Sequence, residues 1–281
     1  MFSRIVSYFV IPQQFAATFV GSLVRNLYSK KVIQKARNDF KDKLRGQEIT
    51  IVAEDNIKLN GMLFKREKGF IDYFKRRKVW INFNGQGVPY ENISMDYIKK
   101  IQKLGFDVLL FNYRGVVKSE GRPTGPGLIK DGIAVIKWAN SLGYKKKVVH
   151  GHSLGGIIAT RSISLLKDKN TYLINDRSLG SLGSFVKHSI LRFLIIIPWI
   201  IRMFLKISNW NLKAKKAFVQ IESPKCLIYA PKDGMLPEKS FLYTKVKNVT
   251  DSKKIIKLSD EWSHRTLLDE KVMKQALKAL G

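Results

Sequence analysis

The chain has 281 residues, 45% of them hydrophobic and 26% charged, which is enough to bury a sizeable core and excludes a disordered polypeptide. Its 51 Lys and Arg against 22 Asp and Glu give a net charge of +29, mostly lysine spread along the whole length. A lone cysteine, Cys226, excludes a disulfide scaffold, and the four histidines (150, 152, 188 and 264) lack the spacing of a structural metal site.

The first segment, 1–46, reads as an amphipathic helical stretch set apart from the rest. Its apolar run is broken by "PQQ", lacks a small-x-small cleavage site, and falls short of the ~20 uninterrupted apolar residues of a spanning helix. It suits a surface location, on a membrane or on the protein itself. From residue 47 the period changes. "EITIVAEDNIKLNGMLFKRE" alternates apolar and polar residues around a turn at Asp55–Asn56, which predicts an antiparallel hairpin.

Short apolar runs follow at 78–85, 107–115, 146–153, 171–177, 225–233 and 253–260, most of them separated by stretches of helical spacing such as "SMDYIKKIQKLG". Strands rich in Val, Ile, Leu and Phe that alternate with helices predict a mostly parallel sheet covered on both faces, with the hairpin as its antiparallel edge. Cys226, in "KCLIYA", reads as a buried strand residue. One connection, 178–224, is too long for a plain crossover. It holds an apolar run at 193–201 between Arg192 and Arg202, too short to span a bilayer, and reads either as a lid or as a buried core helix.

The stretch that carries chemistry is "VVHGHSLGGIIAT", 148–160. Gly151-His152-Ser153-Leu154-Gly155 is a G-x-S-x-G pentapeptide with a strand before it and a helix after it. A serine on such a turn exposes its hydroxyl, and the backbones pass so close that glycine is needed on both sides. The hydroxyl is a weak nucleophile, so it needs a base oriented by an acid. His264, after the last strand, is the candidate base. Asp233, ending the strand before it, is the candidate acid, with Asp176 at the end of an earlier strand as its rival. The amide of Leu154, and that of Gln86 in "NGQG", are candidate oxyanion donors. This chemistry calls for no metal or cofactor.

Together "NFNGQG", "FNYRGVVKSEGRPT", "GHSLGG", "PKDGMLP" and "SHRTLL" resemble the serine α/β-hydrolase superfamily over 47–281. The nearer likeness is to an uncharacterised hydrolase group of intracellular bacteria. The resemblance implies an α/β-hydrolase fold, a nucleophile, acid and base at Ser153, Asp233 and His264, and oxyanion amides at Gln86 and Leu154. Two positions depart from the usual pattern: Val117 stands where relatives carry a small residue, and the oxyanion loop begins with Asn84 rather than His.

The expected activity is hydrolysis of carboxylic esters, acyl lipids foremost. Thioesterase, acyltransferase or peptidase chemistry would use the same residues, and a non-catalytic membrane-binding protein on a hydrolase scaffold is the alternative from another class. The charge and the apolar segments suit an anionic membrane surface as partner, the alternative being a lysine-rich solvated surface. Scattered lysines without a recognition motif argue against specific nucleic-acid binding. The expected location is the cytoplasm or the membrane periphery, with bacterial secretion into a host cell left open.

Overall fold

The computed structural model describes residues 29–67, 77–188, 206 and 209–281. The apolar N-terminal run (1–28) and the apolar run at 193–201 lie outside the described residues.

Eight strands form one sheet: β1 (Gln47–Val52), β2 (Lys58–Phe64), β3 (Lys78–Phe83), β4 (Asp107–Phe111), β5 (Lys146–His152), β6 (Thr171–Asp176), β7 (Lys225–Tyr229) and β8 (Ile255–Lys257). Their order is β1-β2-β4-β3-β5-β6-β7-β8, with β1 and β2 antiparallel to their neighbours and the rest parallel. This is the α/β-hydrolase arrangement expected from the sequence. Strands β2–β7 are buried on both faces, and their successive residues supply opposite cores, as the two-residue period of a strand requires. Val79, Ile81, Phe83, Leu109, Phe111, Val149, Leu173 and Leu227 face one core. Trp80, Val108, Leu110, Val148, Ile174, Cys226 and Ile228 face the other.

The first core is closed by helices α3 (Gly125–Ser141), α4 (Leu154–Leu166) and α6 (Lys215–Gln220), the second by α1 (Lys30–Leu44), α2 (Met95–Lys103) and α8 (Glu270–Leu280). Short helices α5 (Leu182–His188) and α7 (Leu242–Val246) complete the described set. Side-chain caps start the longer helices: Ser29, Ser94, Thr124 and Asp269 accept amides of the first turns of α1, α2, α3 and α8.

Helix α1 buries Ile33, Arg37 and Phe40 against the body of the domain. Phe40 meets the Phe64 ring edge-on at 5.4 Å and stacks with Tyr90 at 6.4 Å. The described ends of the 178–224 connection are stitched to the same body. Leu179 bridges to Phe241 and Ser181 to Lys213, while Trp210, Leu212 and Ala214 enter the first core. Parallel strands leave their loops at the carboxyl edge, so the turns after β3, β5, β6, β7 and β8 gather there.

Candidate active site

β5 ends at His152 and α4 begins at Leu154, which leaves Ser153 alone to turn the chain. It does so at φ 55°, ψ −120°, in a region that residues with a side chain rarely occupy. The turn closes through the Ser153 amide donating to the Asp176 carbonyl (3.0 Å) and the Gly156 amide donating back to the Ser153 carbonyl (3.0 Å). The flanking glycines are forced by contact. A Cβ on Gly155 would stand 2.0 Å from the Phe83 carbonyl oxygen, and one on Gly151 would stand 2.7 Å from the Gly156 Cα. α4 therefore packs against the end of β3, whose loop carries Gln86.

Three sequence-predicted side chains meet at this turn. His264 Nε2 lies 2.9 Å from Ser153 Oγ, and His264 Nδ1 lies 2.7 Å from Asp233 Oδ2. The other carboxylate oxygen of Asp233 accepts the amides of Met235 (3.2 Å) and Leu236 (2.9 Å), so both oxygens are occupied. The Asp233 carbonyl accepts the His264 amide at 3.2 Å. Asp233 and His264 are buried. A proton can thus pass from Ser153 Oγ to His264 Nε2 while a carboxylate faces the far side of the ring.

Asp176, the rival acid, does not reach His264. It binds Arg177 with both oxygens (Nε to Oδ1 2.8 Å, Nη2 to Oδ2 2.9 Å) and lies 3.2 Å from His150 Nε2. Burial works against its charge, yet Arg177 and His150 hold the carboxyl far below the usual carboxylate range. Gln86 and Leu154 sit as the sequence places them, one in the loop after β3 and one at the head of α4. Gly85 packs against the elbow, where an added Cβ would stand 3.3 Å from that of Ser153. Asn84 is buried and its carboxamide oxygen accepts the Asn82 carboxamide.

His152 has a part that the sequence reading did not assign. Its Nε2 donates to the His264 carbonyl oxygen at 2.8 Å, with the two rings 4.7 Å apart. Burial pushes its pKa down to about 3, helped by the positive charge of Arg177 and opposed by Asp176. Arg177 was likewise missed: it donates to the Ser263 carbonyl (2.6 Å) and the Thr266 carbonyl (2.7 Å), on either side of His264. No sequence signal could have found these contacts, because the acceptors are backbone atoms far along the chain.

The family model for the Chlamydia CHLPS protein (DUF818) matches residues 75–280, most of this chain and all of the site just described. The chain belongs to that family. Within the wider α/β-hydrolase superfamily, this DUF818 member is similar to a zebrafish (Danio rerio) protein named lysophosphatidylserine lipase ABHD12, with 36% identity over 74 residues. That match covers 26% of this chain and 19% of the relative, so the shared stretch spans about a fifth of the relative's length. An α/β-hydrolase from Vibrio vulnificus superposes with a TM-score of 0.70 at 19% identity, covering 94% of this chain and 90% of its own. The esterase Pf2001 of Pyrococcus furiosus gives 0.64 at 20% identity over 85% and 92%. The DUF818 member shares their fold.

Proposed function

We propose that this protein is a serine hydrolase that cleaves carboxylic esters, acyl-lipid esters in particular, through an acyl-enzyme on Ser153. The observation that carries the reading is the unbroken chain Ser153 Oγ–His264–Asp233, with contacts of 2.9 and 2.7 Å. In the first step Ser153 Oγ bonds to the ester carbonyl carbon as its proton passes to His264 Nε2. Asp233 holds the ring orientation and offsets the imidazolium charge. The amides of Leu154 and Gln86 receive the oxyanion, a contribution of about 3–4 kcal/mol per donor in comparable sites. The C–O bond to the alcohol breaks with the proton returning from His264 to the leaving oxygen, and water, deprotonated by the same imidazole, then releases the acid.

The lipid preference rests on apolar surface in the right place. Val88, Val117, Met235 and Leu267 are exposed and stand in loops after β3, β4, β7 and β8, at the edge that carries Ser153. The apolar run at 193–201 and the +29 charge suit an acyl chain beside an anionic head group, and the zebrafish relative is named a lipase. In this reading the hydrolase body is 47–281 and 178–224 is its lid. No helix of the described residues is long and apolar enough to cross a membrane; we place the enzyme in the cytoplasm or peripherally on a membrane face.

Labelling of the full chain with a fluorophosphonate, compared with Ser153→Ala, tests the nucleophile. Release of p-nitrophenol from short and long acyl esters then tests the substrate. The expected result is labelling lost in Ser153→Ala and a preference for long chains. Short-chain preference overturns the lipid assignment, and folded wild type that takes no label overturns the hydrolase.

A further inference from the structure

The buried polar groups beneath Ser153 form one continuous chain that the hydrolytic step does not use. It begins in the Gln86 loop, where Asn84 accepts from Asn82. Asn82 Oδ1 lies 2.8 Å from His150 Nδ1, and His150 Nε2 lies 3.2 Å from Asp176. Asp176 grips Arg177 with both oxygens, and Arg177 donates to the carbonyls of Ser263 and Thr266 around His264. Strand register puts the links side by side: Asn82 pairs with His150 in neighbouring strands, and Asp176 pairs with His152. Asn82, Asn84, His150, Asp176 and Arg177 are all buried.

Two details tie this chain to the reacting groups. The backbone carbonyl of Asp176 accepts the Ser153 amide, so Asp176 touches Ser153 directly, the oxyanion loop through His150 and Asn82, and the His264 loop through Arg177. Arg177 adopts a left-handed backbone, φ 42°, anchored by its amide donating to the Ile228 carbonyl at 2.8 Å. A buried ion pair is a poor way to gain stability, since desolvation cancels most of its attraction. Its geometric yield is better: a planar, forked cation fixes two carbonyls and a carboxylate in one plane of reference.

We propose that Asp176, with Arg177 and His150, is a positioning relay that sets the oxyanion loop and the His264 loop relative to each other, resting on the reading of Ser153 and His264 as catalytic. Asp176 is thereby not a spare acid but the hub that joins the two halves of the site. A displacement of about 1 Å at a reacting group can cost on the order of 100-fold in rate. Loss of the relay is therefore expected in kcat, with KM nearly unchanged.

The test compares Asp176→Asn, Arg177→Lys and Arg177→Met in the full chain with p-nitrophenyl esters, alongside amide hydrogen exchange. The expected result is kcat lowered roughly 10-fold in Asp176→Asn and roughly 100-fold in Arg177→Met, with KM within about twofold. Arg177→Lys, which keeps the charge and loses the fork, should recover part of the loss. Exchange should rise together in 84–88 and 259–268 and stay level in α2 and α8. Variants with lower melting temperature but wild-type kcat per folded molecule overturn the relay, as does exchange that rises in one loop alone. If Arg177→Met does not fold, Asp176→Asn and Arg177→Lys decide. If the wild type turns over no ester, the proposed function falls, and the coupled exchange of the two loops still decides the relay.

Discussion

Two of the buried charge clusters among the described residues, those of Arg37 and Arg177, share their chemistry and differ in what they hold. Under α1, Arg37 donates to Glu48, Glu91 (3.0 Å) and Asn60 (2.5 Å), and Asn112 donates to Glu91 at 2.9 Å. Beneath the elbow, Arg177 joins Asp176 and the 263–266 carbonyls. Arg37 fastens a helix to the domain, and its acceptors are mainly side chains of neighbouring elements. Arg177 directs two of its donors to the loop backbone on either side of His264. The charge also sits differently. Burial raises the Glu91 carboxyl above its ordinary value, while Asp176 is held well below by its partners. On the proposed function, replacing the cation that secures a helix should cost stability alone, and replacing the one that secures the His264 loop should cost rate.

The largest effect should come from breaking the first cluster. Arg37→Met leaves Glu91 buried without its cation and is expected to lower stability by about 3 kcal/mol. Denaturant unfolding measures the loss, and kcat per folded molecule should hold at the wild-type value. A fall in kcat would erase the distinction between the clusters.

A pH effect separates them next. His152 belongs to the second cluster, and its pKa is pushed down to about 3. The unfolded chain takes up that proton near pH 6.5 and the folded chain does not, so stability falls as pH drops from about 6.5 toward 3. Between pH 6.5 and 4.5 the loss from this group is about 2 kcal/mol, before ordinary carboxylates titrate. His152→Gln, which can still donate to the His264 carbonyl, should flatten the melting temperature over that window. An unchanged slope would mean that His152 takes its proton in the folded state.

The smallest effect lies in the loop between β4 and α3, which is anchored to the first cluster. Ser119 Oγ there donates to the Asn112 carbonyl (2.7 Å) and accepts the Asn60 amide (2.9 Å). Val117 is exposed in this loop at φ 50°, a strained conformation for a β-branched residue. Val117→Asn, which tolerates that conformation, should raise stability by about 1 kcal/mol, or about 2–4 °C in a thermal melt. A decrease would show that the side chain has a packing role that its exposure conceals.

The sheet was legible because strands buried on both faces read as short, nearly unbroken apolar runs, as Val79–Phe83 and Val108–Phe111 do. Ser153 was legible because its turn needs glycines at fixed offsets. His264 and Asp233 followed from residue type, chain order and strand ends. Asp176 also ends a strand ahead of His264, so it stood as the rival acid behind Asp233. The structure distinguishes them by partner: Asp233 faces His264, and Asp176 faces Arg177 and His150.

What the sequence by itself determined is therefore the layer order, the elbow and the residue types gathered at the carboxyl edge. Each of these depends on local spacing, which the chain carries in its own period. Only the tertiary structure set the side chains of Arg177 and His152 against the backbone of the His264 loop. Those contacts close over separations of 86, 89 and 112 residues and end on backbone carbonyls, atoms that every residue has and no side-chain pattern marks.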